Sequence, residues 1–118
     1  MAEGKSAILQ GTLDLMVLKT LEAAGPLHGY GIARRIEQVS DGALVLNQGT
    51  VHLCLTRLAE KRWIAAGWGI SENNRRAKYY SITRSGRKQL AIEIANWRRL
   101  SRTIARLLEP GPRPVISM

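Results

Sequence analysis

The sequence predicts a mostly α-helical fold that carries one small β-hairpin and ends in a long helix. Three observations support this prediction. Apolar residues recur at helical spacing in three early segments, two β-prone segments flank a polar turn, and a heptad pattern fills much of the last third. The 118 residues are enough for one hydrophobic core.

Three helices are predicted before the hairpin. They span residues 12–24, 29–39 and 50–62. Thr12 and Thr50 are good N-cap residues for the first and third helices, and Gly25-Pro26 ends the first. Apolar residues cover more than one face of the first helix, so part of it is expected to pack against a second subunit.

The hairpin and the last helix follow. The predicted strands are residues 63–68 and 78–83, on either side of a polar turn. Thr83 or Ser85 caps the last helix, which is expected to end near Glu109. A heptad seam along this helix comprises Leu90, Ile94, Trp97, Ser101, Ile104 and Leu108.

Basic residues outnumber acidic ones. Lys and Arg number 18 against 9 Asp and Glu, which gives a formal net charge of +9. Such an excess in a small domain predicts a polyanionic partner. No apolar run is long enough to span a bilayer, residues 1–6 lack a signal-peptide pattern, and the one cysteine suits a reducing compartment. A cytoplasmic protein is therefore expected.

The order of three helices and a hairpin is typical of a winged helix-turn-helix. In that fold the third helix enters the major groove of DNA and the hairpin lies beside the backbone. The predicted DNA-contacting residues are Thr50, His52, Thr56, Arg57, Arg75, Arg76 and Lys78. This interpretation divides the chain into a DNA-binding domain (1–84), a dimerisation helix (85–109) and a flexible tail (110–118).

The sequence does not predict an enzyme. His52 and Cys54 are two residues apart on one helix, so their side chains point to different faces. Cys54 also lies on the apolar stripe of that helix. The two histidines, the cysteine and the scattered carboxylates have no metal-ligand spacing. No catalytic residue, metal or cofactor is therefore predicted.

Several segments resemble the PadR family of transcriptional regulators. QGTLDL (10–15) and GPLHGYGI (25–32) resemble the opening of these proteins, and NQGTV (47–51) resembles the start of their recognition helix. WI (63–64), NNRRAKYY (73–80), IT (82–83) and GR (86–87) resemble their wing and the entry to their last helix. The resemblance covers residues 8–108, and the single C-terminal helix resembles the shorter subfamily.

The resemblance implies a dimeric repressor whose binding to its operator is relieved by a small molecule. The chain departs from the family at one point, because His52 and Leu53 stand where the family usually has Tyr-Pro. The tyrosine hydroxyl is lost, and the imidazole of His52 can donate or accept a hydrogen bond instead. This replacement is expected to affect which operator sequence is preferred, but not the general DNA-binding activity.

The heptad seam and the apolar first helix predict a homodimer. The predicted interface residues are Leu13, Leu90, Ile94, Trp97, Ile104 and Leu108. Two copies of Trp97 facing each other across a two-fold axis would form an apolar slot for a flat aromatic effector. The resemblance to regulators that respond to aromatic compounds favours this role. The alternative is that Trp97 only fills the seam.

A second interpretation of the composition is a basic module that binds RNA or a membrane surface. The last helix carries Arg98, Arg99, Arg102 and Arg106 beside its apolar seam, a pattern that suits an anionic membrane surface. The chain has no Phe and lacks the sheet of stacking aromatics typical of RNA-binding domains. Double-stranded DNA is therefore the favoured partner, and no membrane partner is expected.

Overall fold

The computed structural model describes residues 2–111. The elements are α1 (Ala2–Ala24), β1 (Leu27–His28), α2 (Gly29–Val39), α3 (Gln48–Glu60), β2 (Ile64–Ile70), β3 (Arg76–Ile82) and α4 (Arg84–Leu108). The strands form one antiparallel sheet in the order β1-β3-β2. We call β2, β3 and their connecting turn the wing. The predicted fold class, winged helix-turn-helix with a long last helix, is confirmed.

Helix α1 lies at the centre of the fold and contacts α2, α3, α4 and β3. In the described part of the chain, the buried core comprises Leu13, Val17, Leu18, Leu21, Ile32, Ala33, Ile36, Val51, Cys54, Leu55, Leu58, Ile64, Tyr80 and Leu90. Burying one large aliphatic side chain contributes about 1.5–3 kcal/mol. Every element except the short β1 supplies at least one of these residues, so the winged domain is held by a single shared core.

Helix α1 begins earlier than the sequence predicts. It starts at Ala2, so Thr12 lies inside the helix and is not its N-cap. Residues 2–10 are mostly good helix formers, and they extend the helix without a break. The end is as predicted, since Gly25 adopts φ 83° and its N–H donates to the carbonyl of Leu21 at 3.0 Å.

Helix α3 is capped by Asn47 and not, as predicted, by Thr50. The Oδ1 atom of Asn47 accepts hydrogen bonds from the backbone N–H groups of Gly49 at 2.7 Å and Thr50 at 3.2 Å. An asparagine side chain is short enough to reach these groups from an extended backbone. The helix therefore starts at Gln48, and Thr50 lies in its first turn.

The sheet has a strand that the sequence pattern does not reveal. Leu27 and His28 form β1, which pairs with Tyr80 and Tyr79 of β3. A two-residue strand has no periodicity of its own and exists only through this long-range pairing. The wing is also longer than predicted, because β2 extends to Ile70 and β3 starts at Arg76.

Helix α4 is capped by Thr83, one of the two predicted cap residues. Its Oγ1 accepts from the N–H of Gly86 at 3.0 Å and donates to the carbonyl of Arg62 at 2.7 Å. The first half of α4 packs against α1, where Leu90 is buried. Of the predicted tail, residues 112–118 lie outside the described residues.

Two of the predicted dimer-interface residues are buried within one chain. Leu13 and Leu90 each expose only 4% of their surface, because α1 and the first half of α4 cover each other. Leu13 and Leu90 thus belong to the core of a single chain, and the dimer interface itself stays a prediction. The sequence pattern shows that a residue is apolar, but it does not show which apolar surface covers it.

Candidate nucleic-acid interface

Helix α3 has one buried face and one exposed face. Val51, Cys54, Leu55 and Leu58 form the buried face, as the helical spacing predicts. The exposed side chains are those of Gln48, Thr50, His52, Leu53, Thr56 and Glu60. This face combines hydroxyl, amide and imidazole groups, which can donate to or accept from base edges in a major groove.

The segments before α2 and α3 fix how these two helices begin. His28 caps α2, since its Nδ1 accepts a hydrogen bond from the N–H of Gly31 at 2.9 Å. Asp41 and Gly42 then turn the chain with φ of 57° and 82°. Asn47 caps α3 at the end of this loop. Side chains and backbone turns of the connections therefore set the orientation of the exposed face of α3.

A shallow groove runs between α3 and the wing. His52 and Thr56 line it from α3, and Lys78 and Tyr80 line it from β3. The ring of Tyr80 is buried at the base, and that burial raises the pKa of its hydroxyl. The structure thus brings three of the predicted DNA-contacting residues, His52, Thr56 and Lys78, to one groove.

The other two predicted wing residues lie at its tip and are exposed. The turn at residues 71–75 is closed by a hydrogen bond from the N–H of Ser71 to the carbonyl of Arg75 at 2.7 Å. Asn74 supplies a left-handed residue with φ 59°, which suits asparagine. Arg75 and Arg76 follow directly, so two guanidinium groups project where the wing extends farthest from the core.

An exposed indole lies next to two of the cations of the wing. The guanidinium carbon of Arg76 is 4.5 Å from the ring centroid of Trp68, and the Nζ of Lys78 is 5.9 Å from it. Both distances are in the cation–π range. The sequence pattern indicates only that Trp68 lies in a strand, and its position beside the cations follows from the register of the hairpin.

Arg57 is oriented differently from the prediction. Its guanidinium forms an ion pair with Asp14 of α1, and the two side chains are only 27% and 15% exposed. Cys54, one helical turn before Arg57, also donates its thiol to Asp14 at 3.2 Å. Arg57 therefore joins α3 to α1 in this structure, and its contact with DNA stays a prediction.

The Cys54 thiol is unsuited to nucleophilic chemistry. Burial raises its pKa to about 12, and the hydrogen bond to Asp14 and the negative charge of that carboxylate act in the same direction. The thiol is therefore neutral at physiological pH, and a neutral thiol is a weak nucleophile. Within residues 11–111, His, Cys, Asp and Glu form no group of three that could hold a metal ion.

Two exposed residues of α3 complete the candidate interface and are absent from the predicted set. Leu53 exposes 67% of its surface beside His52, where an isobutyl group can contact a thymine methyl. Gln48 lies in the first turn because the helix starts two residues earlier than predicted. An apolar residue off the buried stripe is the sequence signal that identifies Leu53.

The second half of α4 is apolar and exposed on one side. We call Trp97, Leu100, Ile104, Leu107 and Leu108 the α4 seam; each exposes between 42% and 78% of its surface. Next to it, a cleft of about 500 Å³ lies between α1, α2 and α4. Met16, Val39, Ile94 and Trp97 are among the apolar residues that line the cleft, and Arg35 and Arg98 are among the charged ones.

Known proteins resemble this chain in both sequence and fold. The family model of the transcriptional regulator PadR-like family matches residues 17–92. A PadR family transcription regulator from Clostridium difficile is 30% identical, with a TM-score of 0.69 over 81% of this chain and 97% of that protein. A transcriptional regulator from Clostridium thermocellum is 25% identical, with a TM-score of 0.78 over 87% and 99%.

A PadR family transcriptional regulator from Eggerthella lenta is also 25% identical, with a TM-score of 0.73 over 93% of this chain and 94% of that protein. No helix in the described part of the chain is long and apolar enough to cross a membrane. The match of the family model covers more than half of the chain and includes the helix-turn-helix and the wing. The chain therefore belongs to the PadR-like family of transcriptional regulators, and it is a DNA-binding winged-helix regulator and not an enzyme.

Proposed function

We propose that the protein is a homodimeric, cytoplasmic repressor that binds a two-fold symmetric operator and is released from it by a planar aromatic ligand. The observation that carries the proposal is the α4 seam, which one chain leaves uncovered. Bound over a promoter, a dimer of this kind obstructs the polymerase. The proposal therefore joins the dimeric state, the operator and the ligand in one mechanism.

A second copy of this chain is the occupant that best fits the α4 seam. Large apolar side chains are gathered on one side of this helix and are exposed to water. Removing them from water is favourable by about 25 cal/mol for each Å² of apolar surface buried. Arg99, Arg102 and Arg106 lie on the opposite side of α4 by helical spacing and keep that side solvated. A two-fold axis beside α4 would bring the two seams together as one self-complementary interface.

Two-fold symmetry also fixes how the operator is read. Two copies of α3 would enter successive major grooves about 34–36 Å apart on one face of the duplex. Selection of bound duplexes from random DNA is therefore expected to yield inverted repeats whose half-site centres are about 10 base pairs apart. Enrichment of a single unrepeated half-site by the wild-type protein would contradict the dimeric mode of binding.

The substitution Ile104→Glu tests the interface directly. A carboxylate in the centre of the α4 seam would be desolvated on association, so we expect a folded monomer that binds a half-site and no longer selects inverted repeats. Light scattering gives the oligomeric state, and circular dichroism checks the fold. Ile104 is preferable to Ile94, because Ile94 packs against the core of its own chain.

Ala95→Glu is the matched control for this variant. Ala95 is exposed on the side of α4 opposite the seam, so the same carboxylate is placed on the same helix away from the proposed interface. This variant is expected to remain a dimer with wild-type binding. A dimeric Ile104→Glu protein, or equal dissociation by both variants, overturns the proposed interface.

The cleft beside Trp97 supports the proposal of an aromatic effector. Its volume of about 500 Å³ is that of a small-molecule site, and Arg35 and Arg98 are available to a negatively charged substituent. A ligand releases DNA only if it binds more tightly to a dimer whose recognition helices are wrongly spaced. Binding energy in this cleft can have that effect because α4 leads from the cleft into the proposed interface.

Planar aromatic carboxylates are therefore expected to quench the fluorescence of Trp97 and to weaken operator binding over the same concentration range. Trp63 and Trp68 also emit, so the Trp97→Phe variant is titrated in parallel to isolate the contribution of Trp97. Equal quenching of both proteins, or quenching with no change in DNA affinity, would leave Trp97 as a packing residue only.

A further inference from the structure

We infer that Trp68 is the apolar DNA contact of the wing: its indole packs into the minor groove against deoxyribose and base edges, while Arg76 and Lys78 beside it neutralise phosphates. This inference rests on the DNA-binding function and assigns to Trp68 a role in it.

The exposure of Trp68 is unusual for so large an apolar side chain. The residue exposes 61% of its surface, and Ile70 on the same face of β2 exposes 65%. Tryptophan is mostly buried in folded proteins, and an indole held in water on a narrow hairpin is a typical anchor for a binding partner.

The register of the wing directs the indole to the side of α3. Trp68 pairs with Lys78, and Ala66 pairs with Tyr80, so all four side chains share one face of the hairpin. Ala66, Lys78 and Tyr80 line the groove opposite His52 and Thr56. Trp68 therefore continues the surface formed by the groove toward the tip of the wing.

The charge around the indole selects a polyanion as the occupant. Arg76 and Lys78 lie over the ring, and Arg75 follows the turn next to them. None of these three cations takes part in an ion pair within the described residues. Duplex DNA fits this arrangement, since its minor groove offers apolar sugar edges between two rows of phosphates and admits apolar side chains next to basic ones.

Contacts on the opposite face of the wing restrict the movement of the two strands. The hydroxyl of Tyr79 donates to the carbonyl of Ile70 at 3.2 Å, and the ring of Tyr79 lies over Gly69, where a Cβ would come within 3.0 Å of it. His28 packs on the same ring at 5.2 Å between centroids. A stiff hairpin loses little conformational entropy on binding, so contact of the indole with DNA is not offset by ordering of the wing.

The test compares Trp68→Ala, Trp68→Phe and Arg76→Ala in binding to the selected operator over a range of salt concentrations. Trp68→Ala is expected to weaken binding about tenfold per subunit with the salt slope unchanged, because the lost contact is apolar. Trp68→Phe keeps a ring and is expected to recover much of that loss. Arg76→Ala removes a phosphate contact and is expected to lower the slope by about two for a dimer.

Fluorescence supplies a readout that does not depend on affinity. In the Trp63→Phe/Trp97→Phe protein, Trp68 is the only indole, and acrylamide, which is uncharged, quenches it in proportion to its exposure. Operator DNA is expected to protect Trp68 from this quenching. Melting curves of the Trp68 variants check the fold, which is expected to be intact because the ring lies outside the core.

The outcomes separate this inference from the DNA-binding function itself. Wild-type affinity in Trp68→Ala together with an indole that stays accessible in the complex overturns the inference while the function stands. A salt slope that falls as much as in Arg76→Ala also overturns it, since Trp68 would then only hold a cation in place. A wild-type protein that binds no duplex overturns the function, and the inference with it.

Discussion

Replacement of Gly86 by alanine is expected to destabilise the fold by about 3 kcal/mol or more, beyond the usual range for overpacking. Gly86 is buried in the first turn of α4, and a Cβ there would lie 2.0 Å from the carbonyl oxygen of Trp63 and 2.9 Å from Ile82. Because the first obstacle is backbone, it cannot rotate away as a side chain would. The first turn of α4 cannot easily move away from this carbonyl, because the N–H of Thr83 donates a hydrogen bond to the same carbonyl of Trp63 at 3.0 Å.

Urea unfolding at equilibrium measures this effect, and Gly11→Ala is the matched control. Gly11 lies within α1, and outside its own helix no atom of the described residues comes within 4 Å of the position of its Cβ, so the same substitution should stabilise the protein there by about 0.8–1 kcal/mol through helix propensity. The two substitutions are thus expected to have opposite signs. Stabilisation by Gly86→Ala would show that Trp63 and α4 separate easily, contrary to the packing described above.

Simultaneous replacement of Arg75, Arg76 and Lys78 by alanine is expected to weaken binding to operator and non-operator duplexes alike. If each residue neutralises one phosphate in each subunit of a dimer, the log–log salt slope should fall by about five. The affinity at 50 mM salt should fall by at least about 10³-fold, because those released counterions supply the lost free energy. Fluorescence anisotropy over a salt series gives both quantities.

The α4 arginines provide a control with the same change in charge. Alanine at Arg99, Arg102 and Arg106 removes three cations from an exposed side of α4 and leaves the wing intact. If the wing contacts DNA locally, this second triple variant retains most of the wild-type slope. Equal losses in both triple variants would mean that net charge alone governs binding, and an unchanged slope in the wing variant would exclude the wing from the interface.

The sequence predicted the elements whose ends are determined locally. Helix α2 spans Gly29–Val39 as predicted, because His28 caps its start and Ser40-Asp41-Gly42 ends it. The start of α1 was predicted too late, because Thr12 has the side chain of an N-cap residue but lies inside the helix. Strand β1 was missed because its partner is about 50 residues away in the chain, and no local pattern encodes that pairing.

In the candidate site, too, local sequence predicts some features, and others depend on residues that are distant in the chain. Exposure of Thr50, His52 and Thr56 follows from helical spacing, and the basic tip of the wing follows from composition and turn chemistry. The orientation of Arg57 does not, since it depends on Asp14 in another helix. The position of Trp68 beside two cations depends on the pairing of the two strands, and one of these cations, Arg76, lies outside the strand predicted from residue 78.

Strand β1 has a mechanical consequence for regulation. It ends at His28, the residue immediately before α2, so the sheet and the helix-turn-helix share one uninterrupted piece of backbone. The DNA-binding domain of one chain is therefore expected to move as a rigid body, in which the wing does not move independently of the recognition helix. In the proposed dimer, a small rotation at α4 would therefore move the recognition helix and the wing of each subunit together, relative to its half of the operator.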